Sequence, residues 1–196
     1  AGAIDEVLYG NVFEGLTRIG SDGTVEPALA TDWAFAEDGR SVTFHLREGV
    51  TFHDGSPFDA EAVKFTLDRP RAEGAENAQP QLFAQIEDVV ADDPRTVTIK
   101  LKGPDADLPY SLGWGDAVMV HPESADANKQ TPVGTGPYRF AEWRRGDRVI
   151  LTRNDDYWGE KPAIKRAEFA FVADPTVALA ALLAGDVHAF PSYPAP

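Results

Sequence analysis

The sequence predicts an α/β chain of the mixed α+β kind, and three observations carry that prediction. Short runs of β-branched and aromatic residues recur along the 196 residues, interrupted by a few capped stretches, without the regular strand–helix alternation of a parallel βαβ architecture. Three Asp-Gly pairs, Asp22-Gly23, Asp38-Gly39 and Asp54-Gly55, sit between apolar or alternating segments and read as turns. Hydrophobic residues make up 43% of the chain, which is enough to build a real core.

Taken in order, Trp33-Ala34-Phe35 and Val42-Thr43-Phe44-His45-Leu46 form the two sides of a hairpin around the second Asp-Gly pair. After the third pair, Asp59 caps a helix running to about Asp68, with Ala60, Val63 and Leu67 spaced to line one face. The stretch from Arg69 to Pro80 has no apolar period and reads as a mobile loop, whereas Thr96–Leu101 alternates cleanly as a strand. Next comes Val133-Gly134-Thr135-Gly136-Pro137-Tyr138-Arg139-Phe140, which has the glycines of a phosphate cradle. Pro137 has no N–H to offer an anion, and Tyr138, Phe140, Trp143, Val149, Ile150 and Leu151 suit strands rather than the helix such a cradle needs. The glycines are therefore read as a tight bend opening a hairpin that turns at Arg144-Arg145-Gly146-Asp147. A strand at Glu168–Val172 follows. Then Asp174 as N-cap, Pro175 at the first helical position, Leu179, Leu182 and Leu183, and Gly185 past the end predict a last helix.

Charge and composition exclude several function classes. A net charge of −14 argues against nucleic acid and against anionic membrane surfaces, both of which are held through Lys and Arg. The acidity fits solubility in an exposed compartment. Without cysteine, disulfides, thiolate metal sites and cysteine nucleophiles are ruled out. No run approaches the roughly 18 apolar residues of a membrane span. Ala1–Asp5 lacks a basic region followed by an apolar core, so an export signal is expected to have been removed or never present.

Few residues form a recognisable chemical pattern. His53-Asp54 suggests a metal ligand or a dyad, against which stands a plain turn with Asp54 accepting backbone N–H groups. The four histidines, His45, His53, His121 and His188, are far apart and lack the i, i+4 spacing of a helical zinc site. The serines lie in turns and loops without a nucleophile elbow. Asp92-Asp93 and Asp155-Asp156 read as solvated surface, although the carboxylate separation that defines a glycosidase is invisible in sequence. Tyr157-Trp158 suits either a stacking platform or the core. In Leu112–Val120, LGWGDAVMV, Trp114 lies between two glycines. It either offers an apolar face beside exposed backbone, with Gly115, to an extended ligand, or fills a core gap.

Three ordered blocks carry a resemblance: PALATDWAFAEDGRSVTFHLREGVTFHDGSPFDAEAVKFTL (27–67), PVGTGPYRF (132–140) and LTRNDDYWGEKPAIKRAEFAFVADPTVALAALLAGDV (151–187). From about Tyr9 to Val187 the chain resembles the family 5 extracellular solute-binding proteins, periplasmic receptors of peptide and nickel ABC importers. The resemblance implies the N-terminal lobe of a type II periplasmic-binding-protein clamshell, with a mixed sheet and an added subdomain. On that pattern residues 1–33 begin the base, 34–130 form the added subdomain and 131–196 return to the base, with the second lobe absent. It further implies a monomer without cofactor or metal, periplasmic or extracellular and membrane-associated through its importer. Such a protein captures a dipeptide, oligopeptide or other small polar solute, without chemistry, for an ABC permease in the membrane.

Gly2 and Ala3 at the start, and Pro191, Ser192 and Tyr193 at the end, match segments that border the ligand in peptide-binding members, with Tyr193 placed to close over it. These five join Trp114 and Gly115 as the expected ligand-binding residues. The basic residue that holds an anionic chelate in nickel-type members is replaced here by Ala117, Val118 and Met119. Oligosaccharide or metal-chelate receptors of the same fold, a glycosidase-like enzyme, and a folding module without affinity of its own are the alternatives.

Overall fold

The structure is a computed structural model that describes residues 3–75 and 79–189. The described residues form four helices, nine strands in three sheets and several single 3-10 turns. All strand pairings in these sheets are antiparallel, in the orders β1-β2, β3-β4-β6-β5 and β7-β8-β9. The α+β reading therefore holds. The mixed sheet is not formed by these strands, because each is joined to a neighbour by a hairpin or an antiparallel return.

Helix α1 (Ala3–Leu8) leads through the tight Tyr9-Gly10 turn into the hairpin of β1 (Thr17–Ile19) and β2 (Val25–Pro27). Strands β3 (Ala30–Phe35) and β4 (Ser41–Leu46) form the expected second hairpin. The three Asp-Gly pairs share one chemistry. Asp22, Asp38 and Asp54 accept the N–H two residues on, from Thr24, Arg40 and Ser56, at 2.9–3.0 Å, while Gly23, Gly39 and Gly55 take the positive φ that an L side chain resists.

Helix α2 (Ala60–Asp68) is capped as predicted, with Asp59 accepting from Ala62 N at 3.0 Å. Its buried face, Ala60, Val63 and Leu67 among others, covers the four-stranded sheet made with β5 (Ile86–Asp93) and β6 (Thr96–Leu101). Val42, Phe44 and Leu46 on β4 alternate inward to meet Val97 and Ile99 on β6, as period-2 patterning requires. Between α2 and β5 the predicted loop winds into 3-10 turns at Arg69–Arg71 and Pro80–Phe83. Arg71 anchors the first of them, donating to Leu67 O and Glu87 O, a role that apolar periodicity does not register.

After the short α3 (Leu108–Ser111), β7 (Tyr138–Arg144) and β8 (Arg148–Arg153) form the third predicted hairpin. The following strand, β9, spans Arg166–Ala170 rather than Glu168–Val172, because pairing with β8 fixes its register from Thr152↔Arg166 to Arg148↔Ala170. Helix α4 (Pro175–Ala184) has Asp174 accepting from Thr176 N and Val177 N, and Gly185 at φ +81°.

The buried apolar residues form two cores. The first joins Leu16, Leu29 and Ala30 to the four-stranded sheet, α2, Leu108, Leu112 and Met119. In the second, Leu8, Val12 and Phe13 meet Tyr138, Val149 and Leu151. The glycines of the 133–140 bend serve this second junction. A Cβ on Gly134 would lie 2.0 Å from Val12 O, and one on Gly136 2.5 Å from Asn11 O, so the bend lies directly on the backbone of residues 11–12. The question raised by the phosphate-like sequence is answered by close packing.

Candidate functional site

A groove of about 460 Å³ opens where four stretches meet: Tyr9–Ile19, the Gly113–Val118 loop, the turn at Pro137 and the Tyr157–Pro162 turn. A second, larger concavity of about 560 Å³ lies on the solvent face of the four-stranded sheet, lined by Asp38, Arg40, Glu87 and Lys100. The first is the candidate site because aromatic faces and a buried polar network converge on it, whereas the second is a charged, open shelf.

Trp114 follows α3 and precedes a 3-10 turn at Gly115–Ala117. It is 43% exposed and stands edge-to-face with Tyr110, itself 39% exposed, at 6.2 Å between ring centroids. Trp114 thus does not fill a core gap. The glycines on either side seat the loop. A Cβ on Gly115 would lie 2.3 Å from the Tyr9 ring, so intramolecular packing requires a glycine there, while one on Gly113 would lie 3.1 Å from the Ile19 side chain, a tight contact. Thr17 ties the same region to α3 by donating to Pro109 O at 2.6 Å. The Tyr9 hydroxyl is pushed up to about 12 by burial first and then by the carboxylates of Asp116 and Asp5, so it stays a neutral phenol.

Beneath the groove sits Glu14, which sequence reasoning missed. Its carboxylate accepts from Tyr157 Oη at 2.7 Å, Trp158 Nε1 at 2.9 Å and Thr135 Oγ1 at 2.8 Å. Burial raises the Glu14 carboxyl above its ordinary value; the three hydrogen bonds and the Arg47 guanidinium oppose that rise. Arg47 lies 4.1 Å above the Trp158 ring and donates to Ala28 O at 3.1 Å. The Tyr157 hydroxyl is itself raised, by burial and then by the Glu14 charge. Tyr157 therefore lines the groove with its hydroxyl turned inward, while Trp158 packs against the first core. No local motif announces Glu14, whose partners lie 121 to 144 residues further along the chain.

His53 and Asp54 part company. His53 Nε2 donates to Gly136 O at 2.9 Å and its backbone N–H to Gly134 O at 2.8 Å, while Asp54 turns to Ser56. Burial, the largest effect, lowers the His53 pKa and keeps the ring neutral. Arg139 extends this clamp by donating to His53 O and, at 2.9 Å, to the buried Asn154 Oδ1. The acid pairs do not converge. Asp92 accepts from Thr98 and Asp93 from Arg95 N, while Asp155 pairs with Arg153 and Asp156 with Arg139. Among the described residues no group of three His, Cys, Asp or Glu side chains is placed to hold a metal, and no helix is long and apolar enough to cross a membrane.

Of the residues expected to bind ligand, Trp114 and Gly115 lie on the groove, and Ala3 opens α1. Gly2, Pro191, Ser192 and Tyr193 lie outside the described residues. Of the positions matching the nickel-type basic residue, Ala117 and Met119 are buried and Val118 lines the groove.

Residues 24–196 match the family described as bacterial extracellular solute-binding proteins, family 5 Middle, and the chain belongs to that family. It is 35% identical over 182 residues to the nickel-binding periplasmic protein of Escherichia coli (strain K12), covering 90% of this chain and 35% of that one. To the dipeptide-binding protein of the same organism it is 31% identical over 220 residues, covering 96% and 39%. Among solved structures, the periplasmic binding protein AgaA of A. tumefaciens R10 in complex with agropinic acid superposes with a TM-score of 0.86 at 29% identity. That match covers 93% of this chain and 38% of the other. The chain thus has the fold of the family and spans little more than a third of the length of the relatives it matches. The family and these relatives are binding proteins.

Proposed function

We propose that the chain is the N-terminal lobe of a solute-binding receptor serving an ABC importer, and that it holds a dipeptide, an oligopeptide or another small polar solute for delivery to a membrane permease. The groove carries the reading. Trp114 stands exposed on its lining, edge-to-face with the exposed Tyr110, although a soluble fold gains by burying aromatics, and Gly115 packs the loop against the Tyr9 ring. Membership of an extracellular solute-binding family and the peptide and nickel relatives support the same reading. The acidic chain would act outside the cytoplasmic membrane as a monomer, and no step of capture and lobe closure calls for catalysis or a cofactor. On this reading residues 1–33 and 131–196 form the base, 34–130 the added subdomain, and a second lobe closes the other side of the solute.

The absence of a basic side chain at Ala117, Val118 and Met119 favours a peptide-like solute over an anionic metal chelate. Mass spectrometry of solute co-purified with the longer protein, followed by titration with Trp fluorescence, is the test. A bound peptide and a fluorescence change lost in Trp114→Ala support the proposal. A bound chelate would replace the substrate class, and turnover of a model glycoside would overturn the receptor reading.

A further inference from the structure

His53 is joined to the glycine bend at three points. Its backbone N–H donates to Gly134 O at 2.8 Å, and its ring engages the bend through both nitrogens. Gly136 O, 2.9 Å from Nε2, can only accept, and Gly134 N, 3.4 Å from Nδ1, can only donate, so the ring is fixed as the neutral tautomer with its proton on Nε2. The sequence offered His53 as a metal ligand or half of a dyad, yet both ring nitrogens are committed to backbone.

The bend carries this placement into the groove by two routes. Gly136 is followed by Pro137, which lines the groove. The buried Thr135 donates to Glu14 Oε2 at 2.8 Å, beside Trp158 Nε1 at 2.9 Å, while Glu14 Oε1 accepts from Tyr157, a second groove residue. The bend has little slack, because Gly136 N donates to Val12 O at 2.9 Å and Asn154 Nδ2 to Gly136 O at 3.2 Å.

We infer that His53 is a positioning residue for the groove: as a neutral ring it holds the bend, and through Pro137, Thr135 and Glu14 it sets the Tyr157 wall, a hold that protonation of the ring releases. A proton on Nδ1 would face the Gly134 N–H, donor against donor, and that bond is lost. The charged groups around the ring are divided. Arg139, whose guanidinium donates to His53 O, opposes a second positive charge, and Asp54 in the same turn favours one. Asp156 pairs with Arg139, His121 lies close enough to Asp54 to favour its charge, and Glu14 reaches the bend through Thr135. Burial, the largest influence, together with Arg139 outweighs the Gly136 bond and Asp54, so the ring loses its charge below the ordinary 6.5. The importance of the groove for solute rests on the receptor reading above; the coupling from ring to groove does not.

Nitrogen NMR of the longer protein without solute tests the coupling, so its outcome stands apart from any failure of the receptor reading. The ring nitrogens report tautomer and titration, the Gly134 amide reports the bend, and the Trp158 indole N–H reports the Glu14 site. We expect the Nε2–H tautomer at neutral pH, and Gly134 and Trp158 signals that both shift with the ring's own midpoint, below 6.5. In His53→Gln, whose amide can make both bonds without titrating, that step vanishes from both signals. Thr135→Val keeps the step at Gly134 and removes it at Trp158. A ring with its proton on Nδ1, a Trp158 signal without a step at the ring's midpoint, or a step that survives in His53→Gln overturns the inference. Should His53→Gln fold poorly, Thr135→Val decides by itself: a Trp158 step surviving there refutes the route.

Discussion

Replacing Glu14 separates its charge from its shape. In Glu14→Ala the Tyr157 hydroxyl, the Trp158 indole N–H and the Thr135 hydroxyl lose their shared acceptor. Tyr157 and Trp158 are half-buried, so water restores part of each bond, and about 1 kcal/mol per orphaned donor gives a loss of about 3 kcal/mol. Glu14→Gln behaves differently. Its carbonyl oxygen in place of Oε2 still accepts from Trp158 and Thr135, while its amide donates to Tyr157, whose hydroxyl turns to accept. We expect Glu14→Gln to stay within about 1 kcal/mol of the wild type at neutral pH. The pH dependence gives a second reading. A carboxyl whose folded pKa is raised binds more protons in the folded state, so its ionisation lowers stability as pH climbs from the unfolded value, about 4.5, through the raised folded one. The advantage of Glu14→Gln over the wild type should therefore grow across that interval and then level off. Urea unfolding followed by Trp fluorescence measures both effects. A Glu14→Ala loss under about 1 kcal/mol, or a Glu14→Gln loss equal to it, would refute the assigned role.

Other expectations are as direct. Trp114→Ala should weaken solute binding by the longer protein about ten-fold or more, near 1.4 kcal/mol, while shifting its unfolding free energy by no more than about 0.5 kcal/mol. Unchanged affinity by calorimetry would remove Trp114 from the site. Gly134→Ala drives a Cβ into the Val12 carbonyl, a backbone atom that has nowhere to retreat, and should cost about 3 kcal/mol by denaturant unfolding. For His53 the sign opposes that of Glu14. A depressed folded pKa means that stability is intact above the unfolded value of 6.5 and is lost as pH falls through the folded one. Substituting His53 by Gln should flatten that acid-side slope below the unfolded value of 6.5, and an unchanged slope would show that the ring is not the group responsible.

Local chemistry was readable from the sequence. The Asp59 and Asp174 caps, the three Asp-Gly turns and the alternation of Val97, Ile99 and Leu101 each depend on residues within a few positions of one another. What could not be read was set by distant partners. The start of β9 is decided by β8, the glycines at 134 and 136 by the backbone of Asn11 and Val12, and the glycine at 115 by the Tyr9 ring. Glu14 is the extreme case, one of 32 acidic residues with nothing nearby to distinguish it. Trp114 was singled out for its glycine neighbours, yet both of those glycines make room for the protein itself.

Between Val12 and Leu16 the chain passes from one apolar cluster into the other, with the Glu14 carbonyl accepting from Met119 N at 2.8 Å on the way. These five residues are therefore shared ground between the two clusters, and the bonds of His53 to Gly134 and Gly136 and of Arg139 to His53 tie the same neighbourhoods a second time. Loosening this stretch should weaken both clusters together, as one cooperative unit.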